Sequence, residues 1–151
     1  MWMRFGMACV VASCVLLAAV GCGDKDEGPK LTPVSGTVNL DGKAAPGVMV
    51  TFVPVGKTPG EGATGVTDAT GVYQLKVRGT KVGVPAGEYK VVCQKLVMPD
   101  GSDFDASKVP SLADSGARQI LPPSYSDGEQ TTLKAQVPAE GGKFDFEVKS
   151  K

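Results

Sequence analysis

From Val34 onward, apolar and polar residues alternate in short runs that are separated by turn-forming residues, mainly Gly, Pro and Asp. Period two is the repeat of a β-strand that buries one face. The runs cover residues 34–40, 48–53, 65–67, 73–77, 89–94, 133–137 and 144–148. About seven short strands with no amphipathic helix between them predict an all-β fold, an antiparallel β-sandwich of two sheets.

The residues on the inward face of these runs predict the hydrophobic core. We expect it to contain Val38, Val50, Phe52, Tyr73, Leu75, Tyr89, Val91, Leu133, Phe144 and Phe146. Burying one residue of this size contributes about 1.5–3 kcal/mol, so such a core can stabilise the domain without a disulfide or a metal. Cys93 follows Tyr89 and Val91 on the same strand face, and we expect a buried thiol there rather than a nucleophile.

Charge and residue usage exclude several classes of function. Acidic and basic residues are equal in number, 16 of each, so the chain lacks the basic surplus of a nucleic-acid-binding protein. It contains no histidine, which removes the usual general base and the usual zinc ligand. We therefore expect no catalysis, no cofactor and no metal.

Two short segments have the composition of tight turns. Asp41-Gly42 separates two alternating runs, and Asp68 and Gly71 bracket a segment before the next run. An aspartate accepts hydrogen bonds from backbone N–H groups two or three residues later, and glycine adopts the positive φ that many turns require. We interpret Asp41, Gly42, Asp68 and Gly71 as turn-forming rather than ligand-binding residues.

The segment 97–129 is rich in Pro, Ser, Asp and Gly and shows little periodicity. It predicts one long irregular loop, of a length that is uncommon in compact domains unless the loop is functional or disordered. We expect residues 98–118 to be mobile and dispensable for folding, and we expect Ile120, Leu121 and Tyr125 to anchor the far end of the loop. Tyr125 is also a candidate ligand contact, because its ring could stack on a sugar.

Three acidic residues in this loop, Asp100, Asp103 and Asp105, suggest a calcium site. An EF-hand loop that began at Asp100 would need Gly at its sixth position and Glu at its twelfth, where this chain has Asp105 and Ser111. A looser calcium site stays open as an alternative. A solvated loop agrees better with the composition.

The N-terminal segment 1–20 is mostly apolar, carries a single charge at Arg4, and stops abruptly before a charged stretch. It is too short for a spanning helix, and its basic start and small final residues are typical of a signal peptide. Ala19-Val20-Gly21-Cys22 resembles the lipobox of bacterial lipoproteins, which implies cleavage before Cys22 and acylation of its thiol. The alternatives are a second lipobox ending at Cys14, cleavage by the general signal peptidase, or a retained anchor.

Five short motifs occur in the same order as in a known domain family. They are Ser35-Gly36-Thr37-Val38, Asp41-Gly42-Lys43, Pro46-Gly47-Val48, Thr67-Asp68-Ala69-Thr70-Gly71-Val72-Tyr73 and Pro85-Ala86-Gly87-Glu88-Tyr89-Lys90-Val91. Together they resemble the carboxypeptidase regulatory-like domain, a transthyretin-like (prealbumin-type) sandwich, and the bacterial lipoproteins built from it. The resemblance implies a fold and a location, but no catalytic residue, because this domain accompanies enzymes rather than acting as one.

These observations divide the chain into a lipoprotein signal peptide at 1–21, a flexible tether at 22–33 and a β-sandwich at 34–151. The expected function is that of a non-catalytic module, lipid-anchored in the bacterial cell envelope and facing the periplasm or the exterior, that binds or positions a protein or glycan partner. An accessory carbohydrate-binding lipoprotein is the alternative, and a hydrolase that uses paired carboxylates is a remote one. The membrane is an expected partner through the lipid, and nucleic acid is not.

Overall fold

Short strands in two large sheets, of six and five strands, form the sandwich, and two further pairs of strands lie outside these sheets. The computed structural model describes residues 28–105, 108 and 111–151. The strands are β1 (Leu31–Thr32), β2 (Val34–Leu40), β3 (Lys43–Ala44), β4 (Met49–Pro54), β5 (Ala63–Val66), β6 (Val72–Gln74), β7 (Lys76–Val77), β8 (Lys81–Val82), β9 (Val84–Pro85), β10 (Gly87–Gln94), β11 (Leu96–Val97), β12 (Arg118–Gln119), β13 (Lys134–Val137), β14 (Gly142–Lys143) and β15 (Phe146–Val148). The helices are α1 (Leu112–Ser115) and α2 (Pro123–Ser126). The predicted all-β sandwich is confirmed, and no helix in the described ranges is long and apolar enough to cross a membrane.

The larger sheet has the strand order β13-β10-β4-β5-β7-β8, and every neighbouring pair in it is antiparallel. Its longest pairing is that of β10 with β4, in a register that places Val91 opposite Phe52 and Cys93 opposite Val50. All four side chains are buried. The alternation that identifies these strands in the sequence therefore also determines which face of the sheet meets the core.

The second sheet is centred on β2, which pairs with β3 and β6 antiparallel but with β14 and β15 in parallel. The parallel pairs correct the prediction of a purely antiparallel sandwich. Their cause is the turn after β13, which ends beside the start of β2, where the Gly142 N–H donates to the Pro33 carbonyl at 3.1 Å. Strands β14 and β15 then run alongside β2 in the same direction.

The buried core contains most of the predicted residues and several others. Val38, Val50, Phe52, Tyr73, Leu75, Tyr89 and Val91 are buried, whereas Leu133, Phe144 and Phe146 are partly buried and pack against the same cluster. The predicted core did not include Val34, Val48, Val84, Val137 and Val148, which are also buried, and Leu121, which was expected to anchor the loop, is buried with them. The Phe52 ring of the larger sheet lies 6.0 Å from Phe144 and 6.2 Å from Phe146, between centroids, so these aromatic contacts join the two sheets.

A glycine in the middle of β2 allows three strands of the second sheet to approach closely. Gly36 lies opposite Tyr73 of β6, and Phe144 lies on the other side of β2. The Tyr73 hydroxyl donates to the Phe144 carbonyl at 2.7 Å. A Cβ atom at position 36 would overlap that carbonyl oxygen and crowd the Tyr73 ring. Only glycine leaves room for this arrangement.

The strand directions place the N-terminal segment and the long insertion at opposite ends of the sandwich. β1 pairs with β9, and β2 starts beside them and runs away from them to Leu40. The end at which β2 starts, here called the entry end, comprises residues 28–33, 55–62, 78–86 and 138–141. The opposite end, the distal end, comprises residues 41–47, 67–71, 95–105, 111–120 and 149–151.

Two predicted boundaries change. Strand β1 starts the paired structure inside the predicted tether 22–33, since the buried Thr32 donates its hydroxyl to the Val84 carbonyl at 3.0 Å. The segment 97–129 is not one irregular loop, because β11 pairs with β12 and Leu121 is buried in the core. Strands of two residues leave no alternation to recognise in the sequence, so this pairing could not be predicted from composition.

The lone described cysteine, Cys93, is buried between the sheets, as its strand position predicts. Burial raises the pKa of its thiol to about 12, because the thiolate would lose its hydration there. The thiolate is the nucleophilic form. Near neutral pH the folded protein therefore presents no reactive sulfur at this position.

We predict that replacing Tyr73 by Phe lowers the free energy of unfolding by about 1–3 kcal/mol, because the Phe144 carbonyl loses its donor. Urea denaturation of the two proteins measures the difference. Tyr125→Phe is the matched control, since no hydrogen bond of its hydroxyl is found within the described residues. An equal loss for both variants would contradict the role assigned to the Tyr73 hydroxyl.

We predict that thiol reagents label Cys93 only when the protein unfolds. At pH 8 the labelling rate of the native protein should be at least a hundredfold lower than that of the protein in urea. Added denaturant should raise the rate in step with the unfolded fraction. Labelling of the native protein at the unfolded rate would show that the thiol is exposed.

Candidate functional site

An open groove of about 760 Å³ runs along the outside of the sandwich where β5, β6 and β7 meet. The chain changes sheets at this point, because β6 pairs with β2 whereas β7 pairs with β5. The buried Leu75 connects the two strands. The side chains that line the groove include Thr51, Thr64, Val66, Val72, Gln74 and Lys76.

The acidic groups of the groove are already engaged. At the entry end, Arg78 binds Glu61 through two hydrogen bonds, from Nε at 2.9 Å and from Nη2 at 2.7 Å. These bonds hold the pKa of Glu61 below its usual value. At the distal end, Asp68 is bound within its own turn. The groove thus offers hydrogen-bonding and apolar side chains, but no free pair of carboxylates for acid–base chemistry.

Asp68 and Gly71 form the turn between β5 and β6. The Oδ1 atom of Asp68 accepts hydrogen bonds from the Thr70 hydroxyl at 2.6 Å, the Thr70 N–H at 2.8 Å and the Val72 N–H at 3.1 Å. Led by the Thr70 hydroxyl, these bonds lower the pKa of Asp68. Gly71 has a φ of 78°, and its carbonyl accepts from the Val38 N–H. Both residues therefore shape the backbone at the distal end.

Asp41 and Gly42 form the two-residue turn between β2 and β3, with φ angles of 52° and 81°. Positive φ at both positions is the geometry of a type I′ hairpin. The Asp41 carboxylate also accepts the Ser150 hydroxyl at 2.8 Å, and the Gly42 N–H donates to Glu147 at 2.8 Å. This turn consequently holds the chain around β15 against the end of β2.

A buried lysine attaches the insertion to the distal end. Lys95 Nζ contacts the Asp103 carboxylate at 2.5 Å and donates to the Pro46 carbonyl at 2.6 Å. The Lys95 side chain is only 9% exposed, whereas that of Asp103 is 44% exposed. The Lys95 N–H donates to the Gln119 side chain at 2.9 Å. Both sides of the insertion are therefore fixed to the same residue, which argues against the expectation that residues 98–118 are dispensable.

The three acidic residues of the suggested calcium site have separate partners. Asp100 accepts from the N–H and hydroxyl groups of Ser102, Asp103 binds Lys95, and Asp105 pairs with Lys108 at 3.2 Å. Among the described residues, no group of three or more His, Cys, Asp or Glu side chains is placed to hold a metal ion. Asp103 therefore has a structural role that the sequence analysis did not assign.

Tyr125 lies in α2 and is half-buried, with its ring against the hydrophobic core. It does anchor the segment after the insertion, together with the buried Leu121. No aromatic side chain within the described residues is exposed. The flat exposed ring that sugar stacking requires is thus lacking in this part of the chain.

The predicted lipidation site, Cys22, lies outside the described residues, as do the signal segment 1–21 and the alternative site at Cys14. Acylation of Cys22 therefore stays a prediction. What the structure adds is the position of Gly28, the first described residue, which lies beside Pro29 and Leu31 at the entry end.

Comparison with known proteins identifies no family for this chain. No family model matches it, and no curated protein matches it. Among solved structures, it is similar to a DUF3823 family protein from Parabacteroides merdae ATCC 43184, with 12% sequence identity and a TM-score of 0.38. The match covers 81% of this chain and 46% of that protein, so the chain spans less than half of its length.

Several residues that build the distal end were missed by sequence reasoning. The buried Thr67 donates its hydroxyl to the Ala45 carbonyl at 2.5 Å and accepts from the Val48 N–H at 2.8 Å. Its partners lie about twenty positions away, and the Pro46 partner of Lys95 lies 49 positions away. A periodicity argument assigns such residues a face, but it cannot reveal a partner at that separation.

We predict that Asp103→Ala lowers the free energy of unfolding by about 1.5–3 kcal/mol, because the buried Lys95 ammonium loses its charged partner. Adding Lys95→Met should recover much of the loss, since no buried charge then remains. Chemical denaturation of the single and double variants measures both effects. Asp114→Ala, an exposed change in the same insertion, is the control and should alter stability by less than about 0.5 kcal/mol. If the double variant is no more stable than Asp103→Ala, the buried charge is not the cause.

Proposed function

We propose that this protein is a non-catalytic binding module, tethered by a lipid on Cys22 to a bacterial membrane and facing the periplasm or the exterior. The observation that carries the proposal is the separation of the two ends of the sandwich. Residues 28–33 lie at the entry end, and the insertion between β11 and β12 lies at the distal end. A lipid at Cys22 would hold the entry end toward the membrane and present the distal end to a partner.

The dimensions agree with this orientation. Cys22 and Gly28 are six positions apart in the sequence, and a chain segment of that length spans at most about 20 Å. Strand β2, with seven residues, is about 23 Å long. The tether would therefore be about as long as β2, and two acyl chains are sufficient for stable anchoring.

A binding role is supported over catalysis by the state of the reactive groups. The chain has no histidine, and Cys93 is buried with a raised pKa. In the groove, Glu61 is bound by Arg78 and Asp68 by its own turn. A hydrolase that uses paired carboxylates needs two such groups free to face a substrate, so this alternative gains no support.

A protein partner is favoured over a sugar. Carbohydrate recognition commonly uses an exposed aromatic face, and the described part of the chain exposes none. The distal end instead carries exposed loops on a rigid sandwich, the usual setting for recognition between proteins. The resemblance to carboxypeptidase regulatory-like domains agrees with an accessory role.

We expect Cys22→Ser to release the protein from the membrane fraction, because the acylated thiol is lost. Cys14→Ser is the matched control and should leave membrane attachment and the mature mass unchanged. Mass spectrometry of the purified native protein should find a chain that starts at Cys22 and carries added lipid mass. A soluble Cys14→Ser protein with a membrane-bound Cys22→Ser protein would overturn the assignment.

The binding role is tested with a photo-crosslinking amino acid placed at Ala113 in the distal end or at Lys57 in the entry end, both exposed positions. We expect irradiation of intact cells to give a discrete protein adduct from position 113 and none from position 57. Adducts from position 57 alone would contradict the proposed orientation. No adduct from either position would contradict a stable protein partner.

A further inference from the structure

Two lysines face each other on the outer surface of the larger sheet. Lys90 of β10 and Lys134 of β13 are register partners. The next pair along the strands is hydrogen-bonded, since the Val91 N–H donates to the Leu133 carbonyl at 3.0 Å. Hydrogen-bonded and non-hydrogen-bonded pairs alternate, so Lys90 and Lys134 form a non-hydrogen-bonded pair, in which side chains lie closest. Like charges at such positions are destabilising.

Neither lysine forms a salt bridge within the described residues. Lys90 Nζ has only a long hydrogen bond to the Gly128 carbonyl, at 3.4 Å. The two side chains border a hollow of about 400 Å³, whose other side chains include Val55, Glu88 and Gln136. Glu88 lies opposite Gln136 and is therefore a diagonal neighbour of Lys134, at about 7–8 Å. At that distance its carboxylate offsets the positive charge of the lysine pair only in part.

The same lysine pair borders a free sheet edge. β13 is the terminal strand of the larger sheet and pairs only with β10 among the described residues. Because Leu133 bonds to β10, the alternation along β13 directs the backbone groups of Ala135 and Val137 toward β10 and those of Lys134 and Gln136 away from the sheet. An edge with unpaired backbone groups can accept a further strand.

We propose that β13 binds an extended acidic peptide segment of a partner protein, which adds to the sheet as a new strand. The peptide would pair with the edge backbone groups of Lys134 and Gln136. One of its carboxylates would lie beside the ammonium groups of Lys90 and Lys134 on the outer face. The bound carboxylate thereby supplies the negative charge that the lysine pair lacks in the free protein.

Charge favours this occupant over a second copy of the chain. Pairing of two β13 strands would bring a second pair of lysines to the same face and increase the repulsion. A peptide with alternating acidic residues removes it. The proposed binding site at the edge of β13 includes no residue of the N-terminal segment. Peptide binding there does not depend on acylation of Cys22.

The test measures binding of a synthetic peptide to the purified full-length protein in detergent. The probe has seven residues, with Glu alternating with Val or Thr, and blocked ends. The first control peptide has Lys in place of Glu, and the second carries N-methyl groups on the amides that would face β13. We expect the probe to bind and to shift the amide NMR signals of Lys134 and Gln136, and each control to bind at least tenfold more weakly.

Variants separate charge from folding. Lys134→Gln should weaken binding of the probe at least fivefold, and Lys134→Glu should abolish it while raising the melting temperature, since the cross-strand repulsion is relieved. Lys149→Gln, an exposed change at the distal end, is the matched control and should leave the affinity unchanged. Equal binding of the Glu and Lys peptides, or unchanged affinity of Lys134→Gln, would overturn the proposal. Absence of binding at millimolar peptide would do so as well, and Lys134 would then serve only to protect the edge from aggregation.

Discussion

The hydrogen bond from the Tyr73 hydroxyl to the Phe144 carbonyl, which passes across Gly36, holds the second sheet together. It joins β6 to the segment between β14 and β15, with β2 between them. A side chain at position 36 would separate these strands, and Phe144 and Phe146 would then lose their positions against Phe52. The contact between the two sheets therefore depends on the absence of one Cβ atom.

Most charged groups at the distal end and in the groove have structural partners. Asp68 and Asp41 bind backbone and hydroxyl groups around their turns, Asp103 neutralises a buried lysine, and Arg78 engages Glu61. In each case a protein group takes the place of water as the partner of the charged side chain. The charged side chain is therefore less available to a ligand. Against this background, the pair formed by Lys90 and Lys134 is unusual, because neither ammonium group has a salt-bridge partner within the described residues.

Local features of the fold could be predicted from the sequence, whereas long-range features could not. The alternation around Val91 gave the strand and its buried face, and Asp41-Gly42 gave a turn. The parallel pairing of β15 with β2 could not be predicted, because alternation is the same in parallel and antiparallel strands. Alternation also gives the face of a residue but not its partner on another strand. The sequence therefore places Lys90 and Lys134 on outer faces but does not reveal that they are opposite each other. That fact depends on a register set by some forty residues of intervening chain.

The pairing of β2 with β15 has a consequence for the order in which the chain can fold. The Thr37 N–H and hydroxyl both bind Asp145, which lies 108 positions later in the sequence. A chain that emerges from a ribosome or a translocation channel starting with its N-terminus exposes β2 long before its parallel partners appear. The side of β2 that pairs with β14 and β15 must therefore remain unpaired until residues 142–148 have emerged. Folding of this sheet is thus a late event, completed after nearly all of the chain described here has been delivered.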